Sequence, residues 1–378
     1  MDFGAAALKL HKRYQGKLET VSKIQIKTRG DLSTVYTPGV GAVSTYISKN
    51  PGSVNELTLK GRTIAVISDG SAILGLGNLG PEAALPVMEG KCLLFKTFAG
   101  LDAFPIVLGT QNTDEIIKIV KAIAPTFGAI NLEDISAPRC FEIEDSLQNL
   151  GIPVMHDDQH GTAVCILGPL QTVVKLSKRD FKKIRVVING AGAAGSAVAK
   201  MLSPLVSDVI LVDSKGIIYK DRPGLELYKK DLAKVTNKQN IKGGLENALN
   251  DADCFIGLSA PGVLKPQYIK KMKADPIIFA MANPIPEIMP DEAKKAGVRL
   301  MATGRSDFPN QVNNALAFPG IFKGAIKSKS KRITPRMKMA AAFALSNIIS
   351  KPSIENFVPS IFDERVVKEV SIAVIEAS

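Results

Sequence analysis

The sequence predicts an α/β fold in two units, an N-terminal parallel-sheet domain followed by a second α/β domain with a helical tail. Three observations carry that prediction. Short apolar runs of strand length alternate with helix-length segments up to about residue 156. The same rhythm restarts near residue 185, after one long apolar segment. At the restart, a glycine-rich turn directly follows a strand and opens a helix. With 378 residues the chain can bury two cores, and the pattern places the boundary near residue 160, giving units 1–160 and 161–378.

Taken in order, a polar, mostly helical opening precedes the strands "TIAVISDG" (63–70), "FPIVLG" (from 104), "FGAINLED" (from 127) and "IPVMHDD" (from 152). Between them "EAALPVMEGKCLLFKTF", "TDEIIKIVKAIA" with Thr113 as N-cap, and "APRCFEIEDSLQNLG" closed by a glycine read as helices. Strands joined by helices pair in parallel. "GTAVCILGPLQTVVKL" then reads as a connecting helix, followed by strands in "IRVVINGAGAAG", "DVILVD", "ADCFIGLS", "DPIIFAMANP" and "VRLMATG". The tail beyond Gly320 turns basic and then helical, free to pack on either unit. No internal repeat interrupts this order.

Composition excludes several classes. A hydrophobic content of 46% is too high for a disordered chain. No apolar run approaches the roughly 20 residues of a membrane helix, and the charged start "MDFGAAALKLHKRYQ" does not suit a signal peptide, so a soluble cytoplasmic protein without a membrane partner is expected. Cys92, Cys140, Cys165 and Cys254 are scattered and read as reduced, buried thiols. The net charge of +12 raises nucleic acid as a partner, most of all through "KGAIKSKSKRITPRMK" at 323–338. No aromatic residue interleaves that run, so it reads as a solvated linker or an anion-attracting rim, and no nucleic acid is expected.

The glycine-rich turn is specific because of its context. Gly190, Gly192 and Gly195 follow the G-x-G-x-x-G order of a Rossmann dinucleotide site, with Ala194 in the same turn. Gly190 permits the tight turn, Gly192 the approach of a pyrophosphate, and Gly195 close helix packing. "DVILVD" ends at Asp213, where the fingerprint places an acid for the adenosine ribose. That acid repels a 2'-phosphate, making NAD the first choice, while nearby Lys215 offsets the repulsion enough to keep NADP open. The glycines of "LGLGNLG" (Gly75 to Gly80) read as close packing or substrate approach rather than a second nucleotide loop.

"HDDQHG" places His156 and His160 four residues apart, the spacing of zinc-protease helices. Pro153 and Gly161 around it argue instead for a strand end opening into a loop, which removes the helix that motif requires. The acids then matter more. One helix separates "NLED" from "HDD", and a right-handed crossover brings Glu133, Asp134, Asp157 and Asp158 to the carboxyl ends of parallel strands ~4.8 Å apart. Two unit charges 4 Å apart repel by ~4 kcal/mol at an effective dielectric of 20, so such a cluster calls for a cation, and all-oxygen ligation suits Mg²⁺ or Mn²⁺. A metal beside a dinucleotide suggests hydride transfer from a hydroxyl, which needs a base. Lys91 is one candidate, although its spacing alone does not single it out.

An ordered series of motifs carries a resemblance. "YTPGVG" (36–41), "ILGLGNLG" (73–80), "MEGKCLLFK" (88–96), "NLEDI" (131–135), "HDDQHGTA", "GAGAAG", "LVDSKG", "FAMANP" and "NNALAFPG" together resemble malic enzymes of the short microbial kind, from about Thr28 to beyond Lys338. The resemblance implies a substrate and metal domain over 1–160 and an NAD(P)-binding Rossmann domain over 161–378. It implies oxidative decarboxylation of L-malate to pyruvate and CO2 with NAD(P) and Mg²⁺ or Mn²⁺. Glu133, Asp134 and Asp158 would be metal ligands and Asp157 part of the acid/base network. Lys91 would take the C2 hydroxyl proton and Tyr36 would protonate C3 of the enol. Asn283 and Asn314 match positions that contact malate or the nicotinamide end of the cofactor, with Asn313 an equally polar neighbour. A homodimer is expected, with Tyr36 offered across the subunit interface. One position departs: Ala72 stands where longer members carry a substrate-binding arginine, and Arg29 or Arg305 is the expected replacement. Two readings compete with this one. A metal-independent amino-acid or 2-hydroxy-acid dehydrogenase would need no carboxylate cluster, and a dinucleotide-sensing nucleic-acid binder would show no malate turnover.

Overall fold

The computed structural model describes residues 3–73 and 75–378; Met1, Asp2 and Leu74, the last within the glycine-rich stretch noted above, lie outside the described residues. Four helices precede the first strand: α1 (Phe3–Tyr14), α2 (Arg29–Val35), α3 (Gly39–Lys49) and the short α4 (Val54–Leu57). None of them contains a buried residue.

The first sheet has the order β2-β1-β3-β4, all parallel, from β1 (Thr63–Ser68), β2 (Asp102–Val107), β3 (Ala129–Leu132) and β4 (Val154–His156). β1, β3 and β4 are buried along their whole length, which is why they read as apolar runs rather than alternations. The crossovers are α5 (Pro81–Leu94), α6 (Thr113–Ile123) and α7 (Arg139–Leu147). The N-cap of α6 is Asn112, not Thr113: the Asn112 side chain accepts from the Glu115 N–H at 3.1 Å.

After β4 the expected loop is absent. α8 (Asp157–Leu176) begins at the next residue and runs through Gly161 and Pro169. A glycine costs a helix only about 1 kcal/mol. Fourteen residues of α8 are buried, and that packing decides the outcome.

The second sheet has the order β10-β9-β8-β5-β6-β7: β5 (Arg185–Asn189), β6 (Asp208–Asp213), β7 (Gly216–Ile217), β8 (Cys254–Gly257), β9 (Ile277–Ala280) and β10 (Leu300–Thr303). Around it lie α9 (Ala193–Leu202), α10 (Leu227–Val235), α11 (Leu245–Ala248), α12 (Pro266–Ile269) and α13 (Pro290–Lys295). This is a Rossmann-like sheet whose order reverses beside β5, the place where such sheets bind ligands. Its outermost strand, β7, is antiparallel, the return of a tight hairpin from β6.

The tail forms α14 (Phe318–Lys327), α15 (Pro335–Asn347) and α16 (Glu364–Glu376). It packs on both units. Phe318 and Phe322 meet Phe95 edge-on at 4.7 and 5.4 Å, and a Cβ on Gly168 of α8 would lie 2.8 Å from Leu345 of α15. One apolar cluster therefore runs from Ile64 and Val66 of the first sheet to Val186 and Ile188 of the second and to Val374 of α16. The basic stretch 323–338 is accordingly no solvated linker: Ala325, Ile333 and Met337 are buried in that cluster, while Lys327, Lys329 and Lys331 point outward. All four cysteines are free and buried, and no helix among the described residues is long and apolar enough to cross a membrane.

Candidate active site

Pairing of Leu132 with His156 sets the ends of β3 and β4 level, so the acids that follow each strand meet. Glu133, Asp134 and Asp157 are buried and Asp158 is about one-third exposed. Glu133, Asp134 and Asp158 each offer an oxygen within 4.8 Å of the others. Asp134 holds a left-handed backbone conformation (φ 54°) and donates its N–H to Asp158 Oδ2 at 2.8 Å, which ties the two strand ends together. Such a conformation costs a non-glycine residue on the order of 1 kcal/mol and marks a site where the surroundings fix the geometry.

Lys91 enters from α5. Its Nζ lies 2.7 Å from Glu133 Oε1, 2.6 Å from Asp157 Oδ2 and 4.3 Å from the centre of the Phe318 ring. Burial pushes Glu133 well above its ordinary pKa; Lys91 opposes this, and the three neighbouring carboxylates add to it. Asp157 is raised for the same first reason. Burial alone would lower Lys91, but Asp157, Glu133 and Asp158 hold it above the usual lysine range. Four carboxylates against one ammonium leave an excess of negative charge that a divalent cation would balance, and three oxygens at this spacing fit Mg²⁺ or Mn²⁺.

Gly161 explains why α8 must contain a glycine here. A Cβ on it would stand 1.8 Å from Asp157 Oδ1, so the missing side chain makes room for the carboxylate. The second half of the chain also reaches the site. Asn314 donates Nδ2 to Asp157 Oδ2 at 3.0 Å and accepts from the Thr162 hydroxyl at 3.2 Å. Asn313 turns its side chain to the Ala315 N–H instead. That decides between the two amides: Asn314 is the one at the carboxylates.

The two histidines do not converge on a metal. His160 Nε2 lies 3.0 Å from Glu144 Oε2, while the His156 ring is fully buried in the strand end. Glu144, which nothing in the sequence singled out, also accepts from the His156 N–H and from Gln159, both at 3.0 Å. It fixes the first turn of α8 and so the carboxylates on it. Burial alone would raise Glu144, but His160 and Lys338 bring it down to about 2.

Of the two proposed substitutes for the missing arginine, Arg305 already has a carboxylate partner in its own loop. Arg305 is forked onto Asp307 at 2.9 and 2.7 Å, and Arg29 lies on exposed α2. Arg139 is linked to the Ser71–Ala72 segment through hydrogen bonds. It pairs with buried Asp69 at 2.8 Å and donates to Ser136 Oγ at 3.2 Å, while the Ser136 N–H donates to Ser71 Oγ and the Ala72 N–H to the Asp134 carbonyl. Its position at the start of α7, not any motif, brings it there.

The glycine turn has the space a pyrophosphate needs. A Cβ on Gly190 would lie 2.3 Å from the Leu258 carbonyl and one on Gly195 1.7 Å from the Gly190 carbonyl, whereas a Cβ on Gly192 meets nothing within 4 Å. Gly192 caps α9 without a side chain, and Ala194 follows in its first turn, leaving the helix N–H groups to face an anion. Asn283 is exposed in the segment after β9, and its carbonyl would stand 2.8 Å from a Cβ on Gly75 (φ 76°), so at Gly75 the two units approach closely, whereas a Cβ on Gly77 or Gly80 meets nothing within 4 Å. Tyr36 is set apart: it caps α2 and is 66% exposed.

Comparison with known proteins places this geometry. Residues 15–148 match the family model described as "Malic enzyme, N-terminal domain" and residues 159–378 that described as "Malic enzyme, NAD binding domain". An NAD-dependent malic enzyme of Geobacillus stearothermophilus is 54% identical, the match covering 96% of this chain and 77% of that one. A bifunctional malic/malolactic enzyme of Bacillus subtilis (strain 168) is 50% identical over 100% of this chain and 93% of its own. The crystal structure of NAD-dependent malic enzyme from Thermotoga maritima superposes with a TM-score of 0.95 at 47% identity, covering 98% of each chain. Relatives described as NADP-dependent match at 43% and 40% identity.

Proposed function

This chain belongs to the malic enzyme family, and from that premise we propose that it converts L-malate and NAD(P)+ to pyruvate, CO2 and NAD(P)H at the Lys91 cluster. The observation that carries the reading is the buried contact of Lys91 with Glu133 and Asp157 beside three oxygens spaced for a divalent cation. We assign residues 1–160 to substrate and metal and 161–378 to the dinucleotide, with the tail packed on both.

In this reading Asp157, 2.6 Å from Nζ and raised by burial, accepts a proton from Lys91 and leaves a neutral amine. Lys91 then removes the proton of the C2 hydroxyl as hydride leaves C2 for the nicotinamide. Asn314 steadies Asp157 through its amide, and Asn283 stands at the nicotinamide end. Glu133, Asp134 and Asp158 would hold Mg²⁺ or Mn²⁺, which would supply Lewis-acid stabilisation of negative charge developing on the substrate oxygens. Tyr36 returns the proton at C3.

The dehydrogenase alternative would not require the cluster, and the nucleic-acid alternative predicts no malate turnover. The deciding experiment follows NADH and NADPH formation from L-malate with and without Mn²⁺, in the wild type and in Asp158→Asn, with Mn²⁺ binding measured separately by calorimetry. Metal-dependent turnover is expected, with Mn²⁺ affinity lowered at least about tenfold in the variant. Equal turnover in chelator would remove the metal from the reaction.

A further inference from the structure

The adenosine half of a dinucleotide falls to the end of β6, where Asp213 accepts from the Lys215 N–H at 2.9 Å and from Arg222 at 3.0 Å. The nicotinamide half falls across β8 and β9, on the other side of the glycine turn. These two strands end level, Gly257 beside Ala280, and the ladder runs one bond further, from the Met281 N–H to the Gly257 carbonyl at 3.1 Å. Beyond that point the chain parts into two loops, and the N–H groups of Ser259 and Ala282 need acceptors from outside the ladder.

Glu287 supplies both. Its Oε1 accepts from the Ser259 N–H and its Oε2 from the Ala282 N–H, each at 3.0 Å. The backbone joins the same loops again: Gly262 donates to the Pro286 carbonyl at 3.2 Å and Leu264 to that of Glu287 at 3.0 Å. The Glu287 side chain is fully buried, and Gly257 makes the room, since a Cβ there would stand 2.3 Å from Glu287 Cδ. It has no ion pair among the described residues. Burial raises its pKa, and the N–H groups of Ala282 and Ser259 lead those that oppose this. A buried carboxyl without a counter-ion costs stability that an apolar side chain of similar size would not. What it contributes is position.

The residues beside this clamp are exposed and face functional neighbours. The Ser259 hydroxyl accepts from Asn189 Nδ2 at 2.7 Å, and Asn189 ends β5 directly before Gly190. Asn283 follows Ala282 and is closely confined: a Cβ on Gly304 would lie 3.3 Å from its Nδ2, and one on Gly75 of the first unit 2.8 Å from its carbonyl. A shift at Ala282 therefore passes to Asn283 and to the contact between the units.

We propose that Glu287 is a positioning residue for hydride transfer: by joining the loops after β8 and β9 at their base, it fixes Ser259 and Asn283 as one surface for the nicotinamide half of the cofactor. The proposal rests on the reading of the chain as a dinucleotide-dependent malic enzyme.

Glu287→Gln keeps the size of the side chain but offers one acceptor oxygen to two donors. Calorimetry on the full chain compares whichever reduced dinucleotide binds the wild type more tightly, NADH or NADPH, with the matching adenosine fragment, 5'-AMP or 2',5'-ADP. The variant is expected to bind the dinucleotide at least about tenfold more weakly and the fragment unchanged. Its kcat for malate oxidation should fall on the order of a hundredfold. Gly257→Ala presses on the same carboxylate from β8 and should reproduce the pattern, which provides the answer if Glu287→Gln does not fold. An equal loss of dinucleotide and fragment would reduce Glu287 to a structural role and overturn the proposal. So would wild-type binding and kcat in both variants, a result that leaves malate oxidation by the wild type standing. A wild type that binds neither reduced dinucleotide would overturn the cofactor reading and this proposal together.

Discussion

Lys91 is buried with two carboxylates in contact, so its charge and theirs are held by one another. Removing one partner of a buried ion pair strands the other, at about 3–5 kcal/mol. In Lys91→Met, Glu133 and Asp157 lose the group that lowers them, and their folded-state pKa values, already raised, rise further. A carboxyl whose folded pKa lies above its unfolded value destabilises the fold once ionised, and stability returns as pH falls through the raised folded value toward the ordinary carboxylate range. The expected outcome is a melting temperature of metal-free Lys91→Met that climbs on acidification from pH 8 to pH ~5 relative to wild type. A constant difference across that range would show that the two carboxylates are not left ionised and unpaired. Residue-scale facts of this kind were only half legible in the sequence. The acids were visible because they follow apolar strands, whereas the choice of Asn314 over Asn313 and the part played by Arg139 depend on side-chain directions that spacing does not encode.

At the scale of the element, α8 carries the chemistry and also the clearest misreading. Glycine after "HDDQH" reads as a helix stop because local propensity disfavours it. In the folded chain the same glycine keeps the helix compatible with a buried carboxylate. Propensity alone predicts that Gly161→Ala stabilises the helix by about 0.5–1 kcal/mol. The 1.8 Å approach of a Cβ to Asp157 Oδ1 predicts the opposite for function: turnover falls more than about tenfold, the order of loss that misplaced catalytic groups produce. Steady-state kinetics with circular dichroism as a folding check decide it, and unchanged kcat would mean that Asp157 can move without consequence. The strands were easier to read. Buried parallel strands are continuous apolar runs, and β1, β3, β5, β6, β8 and β9 are parallel strands buried along all, or all but one, of their residues.

At the scale of the whole molecule, the first 60 residues stand out. Helices α1 to α3 bury nothing within the chain, while Leu32, Tyr36, Val40, Val43 and Tyr46 are each at least 40% exposed along α2 and α3. So large an apolar face suits a second copy of the chain, and it holds the residue proposed to protonate C3. We therefore expect a dimer by light scattering. Mixing inactive Tyr36→Phe and Lys91→Ala subunits should recover up to about a quarter of wild-type turnover if the tyrosine serves the neighbouring site, on the basis of random pairing of self-complementary subunits. No recovery after verified exchange would place Tyr36 in its own subunit's site. This arrangement could not be read from patterning, because the hydrophobic periodicity of a helix does not say whether its partner lies in the same chain.

The two sheets also share one apolar cluster, closed by α14 to α16. The sequence presents the halves as successive modules, yet neither carries a complete interior. A graft that exchanged the nucleotide-binding half between distant relatives at residue 160 would bring its own final helices against a foreign Phe95 and a foreign α5. Compatible inheritance of this protein's parts thus follows the packing rather than the chain: residues 318–376 must travel with the sheet that precedes them by two hundred positions as much as with the one beside them.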